Sequence, residues 1–235
     1  MNPPVTTRWT PITGQAGSFD AYLALPPAGT GPGLLLLQEI FGVNAHIRAV
    51  AEQYALAGFV VLAPDVFWQQ QPRLDIGYDA ADIQHGRALA HAADAAALQR
   101  DLADAVAALR ALPELRGRGV GALGYCMGGR LAYVAAATAG VDAAVAYCGG
   151  GIQDRLDLAP QIRCPIQFHY GARDPNIPAA AVASVRAAMQ GKSAEVFVYD
   201  HADHGFNCWA RKSYHPASAA LAHGRTLQFF AERLF

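Results

Sequence analysis

The sequence is poor in charge, in paired cysteines and in long apolar runs. Only 16% of its 235 residues are charged and the formal net charge is -1, so no strong surface field draws it to polyanions. Nucleic acid and membrane surfaces are not expected as partners. No apolar run approaches the roughly 18 to 20 residues of a membrane span. The opening MNPPVTTRWT lacks the basic stretch and apolar segment of a secretion signal, which makes a cytoplasmic location the expectation. The four cysteines, Cys126, Cys148, Cys164 and Cys208, are widely spaced and form no CxxC pair. That spacing argues against a disulfide framework and a structural zinc site, and at least three of the four are expected only to pack. No repeat with a period of about 20 to 50 residues is present.

What is present is a 53% hydrophobic composition, enough for a large core, over a length that α/β folds use for one domain spanning 1–235. Strand-like apolar stretches recur as AYLALPP (21–27), GLLLLQE (33–39), FVVLAPD (59–65), GVGALGYC (119–126), DAAVAYCG (142–149), PIQFHYG (165–171) and AEVFVYD (194–200). Most are unbroken runs, the pattern of strands buried on both faces. Helical stretches lie between them. HIRAVAEQYALAG (46–58) ends in Gly58, a natural cap, and residues 94–112 repeat apolar side chains at Leu98, Leu102, Val106 and Leu109. MGGRLAYVAAATAG (127–140) is apolar nearly all round, and 178–191 and 215–235 supply two more helices. The alternation predicts an α/β fold: a mostly parallel, doubly wound sheet of about seven to eight strands with helices on both faces. Its ligand crevice should lie beyond the C-terminal ends of the strands. Residues 66–83, aromatic and Gln-rich, form too long a connection for an ordinary loop and are a candidate wall or lid.

The segments that follow the strands hold most of the unusual polar residues. Gly124-Tyr125-Cys126-Met127-Gly128 fits the G-x-nucleophile-x-G elbow, in which a strand turns sharply into a helix and exposes the middle side chain. A structural turn and a phosphate-cradling loop compete with that reading, although the GK[ST] of the latter is missing. A thiol placed there sees the positive end of the helix, and the Met127 amide is positioned as an oxyanion donor. Downstream, Asp174 follows one strand and His204 another. Nucleophile, acid, histidine is the chain order of α/β-hydrolases, with His204 moving the proton and Asp174 fixing its tautomer. Asp174-Pro175 also fits an ordinary turn, and His201, Asp203 and His204 offer metal ligands that lack a third partner at motif spacing. Glu39 ends LLLLQE at the mouth of the crevice, where it bears on the thiol's proton, and the neighbouring Ile40 amide is the second oxyanion donor.

These residues resemble the dienelactone hydrolase family, cysteine members of the α/β-hydrolase fold. The likeness runs through LLLLQEIFGVN, VLAPDVFW, LGYCMGGRLA, HYGARDPNIP and DHADHGFN in that order. It implies Cys126 as nucleophile with Asp174 and His204, an oxyanion hole from the backbone of Met127 and Ile40, and no cofactor or metal. It also implies that Glu39 interacts with the cysteine and keeps the thiol quiet until a substrate anion displaces it. Family members hold the substrate carboxylate with two arginines. Here Cys208 stands four residues after His204, with Arg211 three further on, so the second arginine is missing or displaced. Arg87 and Arg73 are candidates for the first. Phe41, Trp68 and Tyr125 complete the expected substrate wall. The implied activity is hydrolysis of a small ester or lactone through a thioester acyl-enzyme by a monomer or weak homo-oligomer. A thioesterase or bulkier-ester esterase on the same triad, and a catalytically silent binding protein, are the alternatives.

Overall fold

The computed structural model describes residues 4–235. Five strands, β3 (Gly33–Leu37), β4 (Val60–Pro64), β5 (Val120–Tyr125), β6 (Ala143–Tyr147) and β7 (Ile166–Gly171), are buried at every position. Strands of that composition are stable only when both faces of the sheet are covered. They lie in the order β4-β3-β5-β6-β7 and run parallel. β8 (Ala194–Tyr199) closes one edge in parallel, and the hairpin of β1 (Thr6–Gly14) and β2 (Gly17–Leu25) closes the other, with β2 antiparallel to β4. The eight-stranded, mostly parallel sheet is that of an α/β-hydrolase.

Six helices, α1 (Ala45–Leu56), α2 (Ala80–Ala92), α3 (Ala95–Arg110), α4 (Met127–Thr138), α5 (Ala179–Ala188) and α6 (Pro216–Leu234), complete the fold. Strand periodicity shows that both sheet faces are covered. Gly33 faces Leu109 of α3, whereas Gly121, paired with Leu34 one residue further along, faces Phe230 of α6. Among the described residues no helix is long and apolar enough to cross a membrane. Among the described residues β1, α2 and two 3-10 segments, Pro113–Leu115 and Ile152–Gln161, lie outside the expected set. β1 is largely exposed and carries Pro11, so its sequence lacks the apolar signal, while an edge strand tolerates the proline. α2 buries only Gly86 and starts on the Asp79 side chain, which accepts the Asp82 N–H at 2.8 Å.

What positions the crevice is the fit of α4 to the strand ends. A Cβ on Gly124 would strike the Gly128 carbonyl, one on Gly128 the Leu37 and Gln38 carbonyls, and one on Gly129 the Tyr147 carbonyl. The helix thus seats its first turn directly on backbone of β3, β5 and β6. Gly128→Ala is expected to lower stability by about 1–3 kcal/mol through overpacking, whereas Gly224→Ala, in α6 with open space around it, should gain about 0.5–1 kcal/mol. Urea unfolding of both variants checks the contrast, which a general glycine effect would not produce.

Candidate active site

Cys126 joins β5 to α4 with φ 56° and ψ -115°. A non-glycine residue held there costs about 1–3 kcal/mol and persists only when its surroundings fix it. They do. Its N–H donates to the Tyr147 carbonyl at 2.9 Å, and its carbonyl accepts from the N–H groups of Gly129 and Arg130 at 3.0 and 3.3 Å. The side chain opens on a cavity of about 270 Å³ shared with Ile40, Phe41, Met127, His204 and Arg211. The amides of Met127 and Ile40 donate to no other group among the described residues, and both residues line this cavity.

Asp174 lies just past β7 and His204 just past β8, so the sheet delivers both to the same end. The His204 Nδ1–H donates to Asp174 Oδ2 at 2.7 Å, and the other carboxylate oxygen accepts the Asn176 N–H at 2.8 Å. His204 and Cys126 line the same cavity. Burial opposes a charge on the imidazole. The Asp174 hydrogen bond, followed by the contact and charge of Cys126, outweighs it and carries the pKa up to about 11.

A second thiol lies against this pair. Register pairs Tyr125 with Tyr147, so Cys126 and Cys148 follow adjacent strand ends. Cys148 also has a positive φ, 45°. Its sulfur, the Asp174 carboxylate and a His204 ring nitrogen lie within 4.8 Å of one another. Burial pushes the Cys148 thiol up to about 11, so it sits there as a neutral, weakly polar cover.

Glu39 is buried beyond β3 and has different partners from those expected. One oxygen accepts from Arg211 Nη1 at 2.9 Å and the other from the Tyr78 hydroxyl at 3.2 Å, itself an acceptor for Asn44 Nδ2 at 3.2 Å. Among the described residues no hydrogen bond joins Glu39 to Cys126, which corrects the expected direct restraint of the sulfur. Burial raises the Glu39 pKa against the pull of Arg211 and His204, while the same ion pair holds Arg211 more firmly protonated against its own burial. Arg211, seven residues after His204, lines the same cavity as Cys126.

Of the four residues expected to form the substrate wall, two line this cavity and two lie elsewhere. Phe41 and Arg87 line the Cys126 cavity. Trp68 does not, because its ring stacks on Phe19 at 5.6 Å and its Nε1–H donates to Asp101 at 2.8 Å. Tyr125 points the other way along the strand alternation, into a separate cavity with Val50, Tyr147 and His223. Arg73 is engaged elsewhere, 3.1 Å from Asp20 and 3.3 Å above the Trp9 ring. The 66–83 connection supplies Tyr78, a residue the motifs did not single out. His201 contacts Arg173 at 3.2 Å. Two groups have metal-ligand types close together, Cys148/Asp174/His204 and Glu39/His46/Cys208, each within 4.8 Å. Coordination by the first would compete with the Asp174–His204 bond, and by the second with the bonds Glu39 makes to Arg211 and Tyr78. A larger cavity of about 720 Å³ between α5 and β8 has only Arg186 and Lys192 as charged lining residues and no nucleophile.

The Asp174–His204 bond carries a pH signature. A pKa raised on folding stabilises fully below the unfolded value of about 6.5 and is lost as pH climbs through about 11. Asp174→Asn should therefore cost about 1.5–3 kcal/mol at neutral pH, with the deficit shrinking toward pH 11. Urea unfolding across that range, and NMR titration showing the imidazole pKa falling in the variant, check it.

Comparison with known proteins gives the family. The family model for the "Dienelactone hydrolase family" matches residues 19–234. A carboxymethylenebutenolidase of Pseudomonas sp. (strain P51) is 36% identical over 220 residues, covering 90% of this chain and 89% of its own. Carboxymethylenebutenolidase 1 of Cupriavidus pinatubonensis is 32% identical over 223 residues, 94% of each chain. The crystal structure of a candidate dienelactone hydrolase from Klebsiella pneumoniae subsp. pneumoniae shares 30% identity and superposes with a TM-score of 0.86 over 97% of this chain and 99% of that one. A metagenomic dienelactone hydrolase-like promiscuous phosphotriesterase shares the fold, with a TM-score of 0.85 at 24% identity over 99% of this chain and 100% of its own. Matched along nearly its whole length by sequence and by structure, this chain belongs to the dienelactone hydrolase family.

Proposed function

We propose that this protein hydrolyses small esters or lactones with Cys126 as nucleophile, His204 as proton carrier and Asp174 as its orienting acid. The observation that carries the reading is the convergence of the strained Cys126, the Asp174-bound imidazole and two undonated amides on one small cavity. An imidazole with so strong a hold on its proton takes it from the thiol, and the sulfur attacks the ester carbonyl carbon. The negative charge that forms on the carbonyl oxygen is met by the N–H groups of Met127 and Ile40. His204 then protonates the leaving oxygen as the C–O bond breaks, giving a thioester on Cys126. Water, losing a proton to His204, attacks that thioester, and the carboxylic acid leaves as the sulfur recovers its electron pair.

In this reading Glu39 acts through Arg211. By neutralising the guanidinium it keeps a buried cation tolerable until a substrate anion competes for it. Phe41 and Arg87 take the substrate's apolar and anionic parts. The 235 residues act as one domain, supported by a core that runs from Val5 to Leu234. The free cysteines suit a cytoplasmic place of work.

Cys126→Ala is expected to lower kcat/KM on p-nitrophenyl acetate and on dienelactones by ~10³-fold or more, and intact-mass spectrometry of the wild type with a slow ester should show one acyl adduct, on Cys126. Wild-type turnover in the alanine variant would overturn the nucleophile.

A further inference from the structure

We propose that Arg130 forms a second anion subsite, at the point where the catalytic cavity meets a neighbouring chamber, and that it selects esters bearing a carboxylate set apart from the scissile bond. The proposal rests on the ester-hydrolase reading of Cys126. Arg130 stands four residues after Cys126, in the first turn of α4. Residues so spaced share a helix face, and a long side chain there leans back toward the helix start. The position is a poor one for a cation. The helix dipole opposes positive charge at its N-terminal end, and among the described residues no carboxylate oxygen lies within 4 Å of the guanidinium and no acceptor takes its N–H groups. A half-buried charge kept against its local field, with no partner, is one held for a ligand.

The surroundings are cut to fit this side chain. The run Gly149-Gly150-Gly151 passes beneath it, and a Cβ on Gly151, where φ is 84°, would come 2.8 Å from Nη1. Arg130 and Ala90 line both the catalytic cavity and a chamber of about 240 Å³ walled by Leu98, Leu131 and Val134. The chamber's other charges are already engaged, since Arg155 lies 3.8 Å from Asp157 and Asp154 accepts from Gln153 at 3.1 Å. Within the catalytic cavity, Arg211 is bound to Glu39, and Arg87 stands exposed at the rim. The geometry thus offers a planar, two-pronged carboxylate site one helical turn from the sulfur, with apolar space beside it for the connecting chain. Half-esters of short dicarboxylic acids have that shape.

The test compares p-nitrophenyl half-esters of succinic, glutaric and adipic acids with their methyl diesters on wild type, Arg130→Met, Arg130→Lys, Arg87→Met and Arg211→Met. Calorimetric binding of adipate is followed in the same proteins. Wild type should favour at least one half-ester over its diester by tenfold or more in kcat/KM. That ratio should fall to within twofold in Arg130→Met and lie between in Arg130→Lys, with adipate affinity falling in parallel. No preference in wild type, a ratio that survives Arg130→Met, or a ratio lost only with Arg87 or Arg211 overturns the subsite. If wild type cleaves no ester at all, p-nitrophenyl acetate included, the hydrolase reading falls. Adipate binding, lost or kept in Arg130→Met, then decides the subsite by itself.

Discussion

The site depends on backbone touching backbone where α4 begins. Three glycines, Gly124, Gly128 and Gly129, let the first helical turn rest on carbonyls of β3, β5 and β6 with no side chain between. This contact bends the chain hard enough to hold Cys126 at φ 56°, and the strain is met by the bonds to Tyr147, Gly129 and Arg130. The same contact brings the end of β3 alongside the helix start, so Ile40 and Met127 line one cavity. The positions of Cys126, Met127 and Ile40 are thus consequences of one packing choice. Without it the cysteine would be one more small residue at a strand end, as Cys164 is before β7.

Around that turn the buried charges divide into two pairs. Asp174 with His204 is aimed at the sulfur, and Glu39 with Arg211 is aimed at the cavity wall. Each is covered by a neutral polar neighbour, Cys148 for the first and Tyr78 for the second. Ion pairs this deep survive only if their remaining lone pairs are satisfied. The Asn176 amide serves Asp174, and the Tyr78 hydroxyl, steadied by Asn44, serves Glu39. The separation has a chemical use. On the proposed function, a substrate anion would exchange with the carboxylate of Glu39 at Arg211 without disturbing the proton that His204 holds.

The buried strands and the elbow were legible in the sequence because unbroken apolar runs and a glycine-flanked cysteine have few other uses. β1 was not, since an exposed edge strand with a proline has no core face to impose a pattern. Among site residues, those fixed by local backbone could be read: Cys126, Asp174 and His204 each follow a strand end. Those defined by which way a side chain turns could not. Tyr125 adjoins the nucleophile yet faces the opposite side of the sheet, and Trp68 opens the aromatic loop yet packs back onto the β1–β2 hairpin. Cys148 was within reach of the register argument, because its strand end adjoins that of Cys126. Tyr78 was not, because its role depends on a long connection folding back across β3.

Arg211 reaches the cavity by a turn of the backbone rather than from a strand end. After His204 the backbone makes successive tight turns, with the Cys208 N–H donating to the Gly205 carbonyl and the Arg211 N–H to the Cys208 carbonyl. Those turns return residue 211 to the level of Glu39. Gly205, at φ 73°, leaves the space the guanidinium fills, for a Cβ there would meet Arg211 Nη1. Arg130 has the same kind of bed on Gly151. Two arginines reach one cavity from unrelated elements, each lying on a left-handed glycine that no side chain could replace without pushing the cation out. The placement of positive charge at this cavity is therefore set by glycines as much as by arginines, and alignment of the arginines alone would miss it.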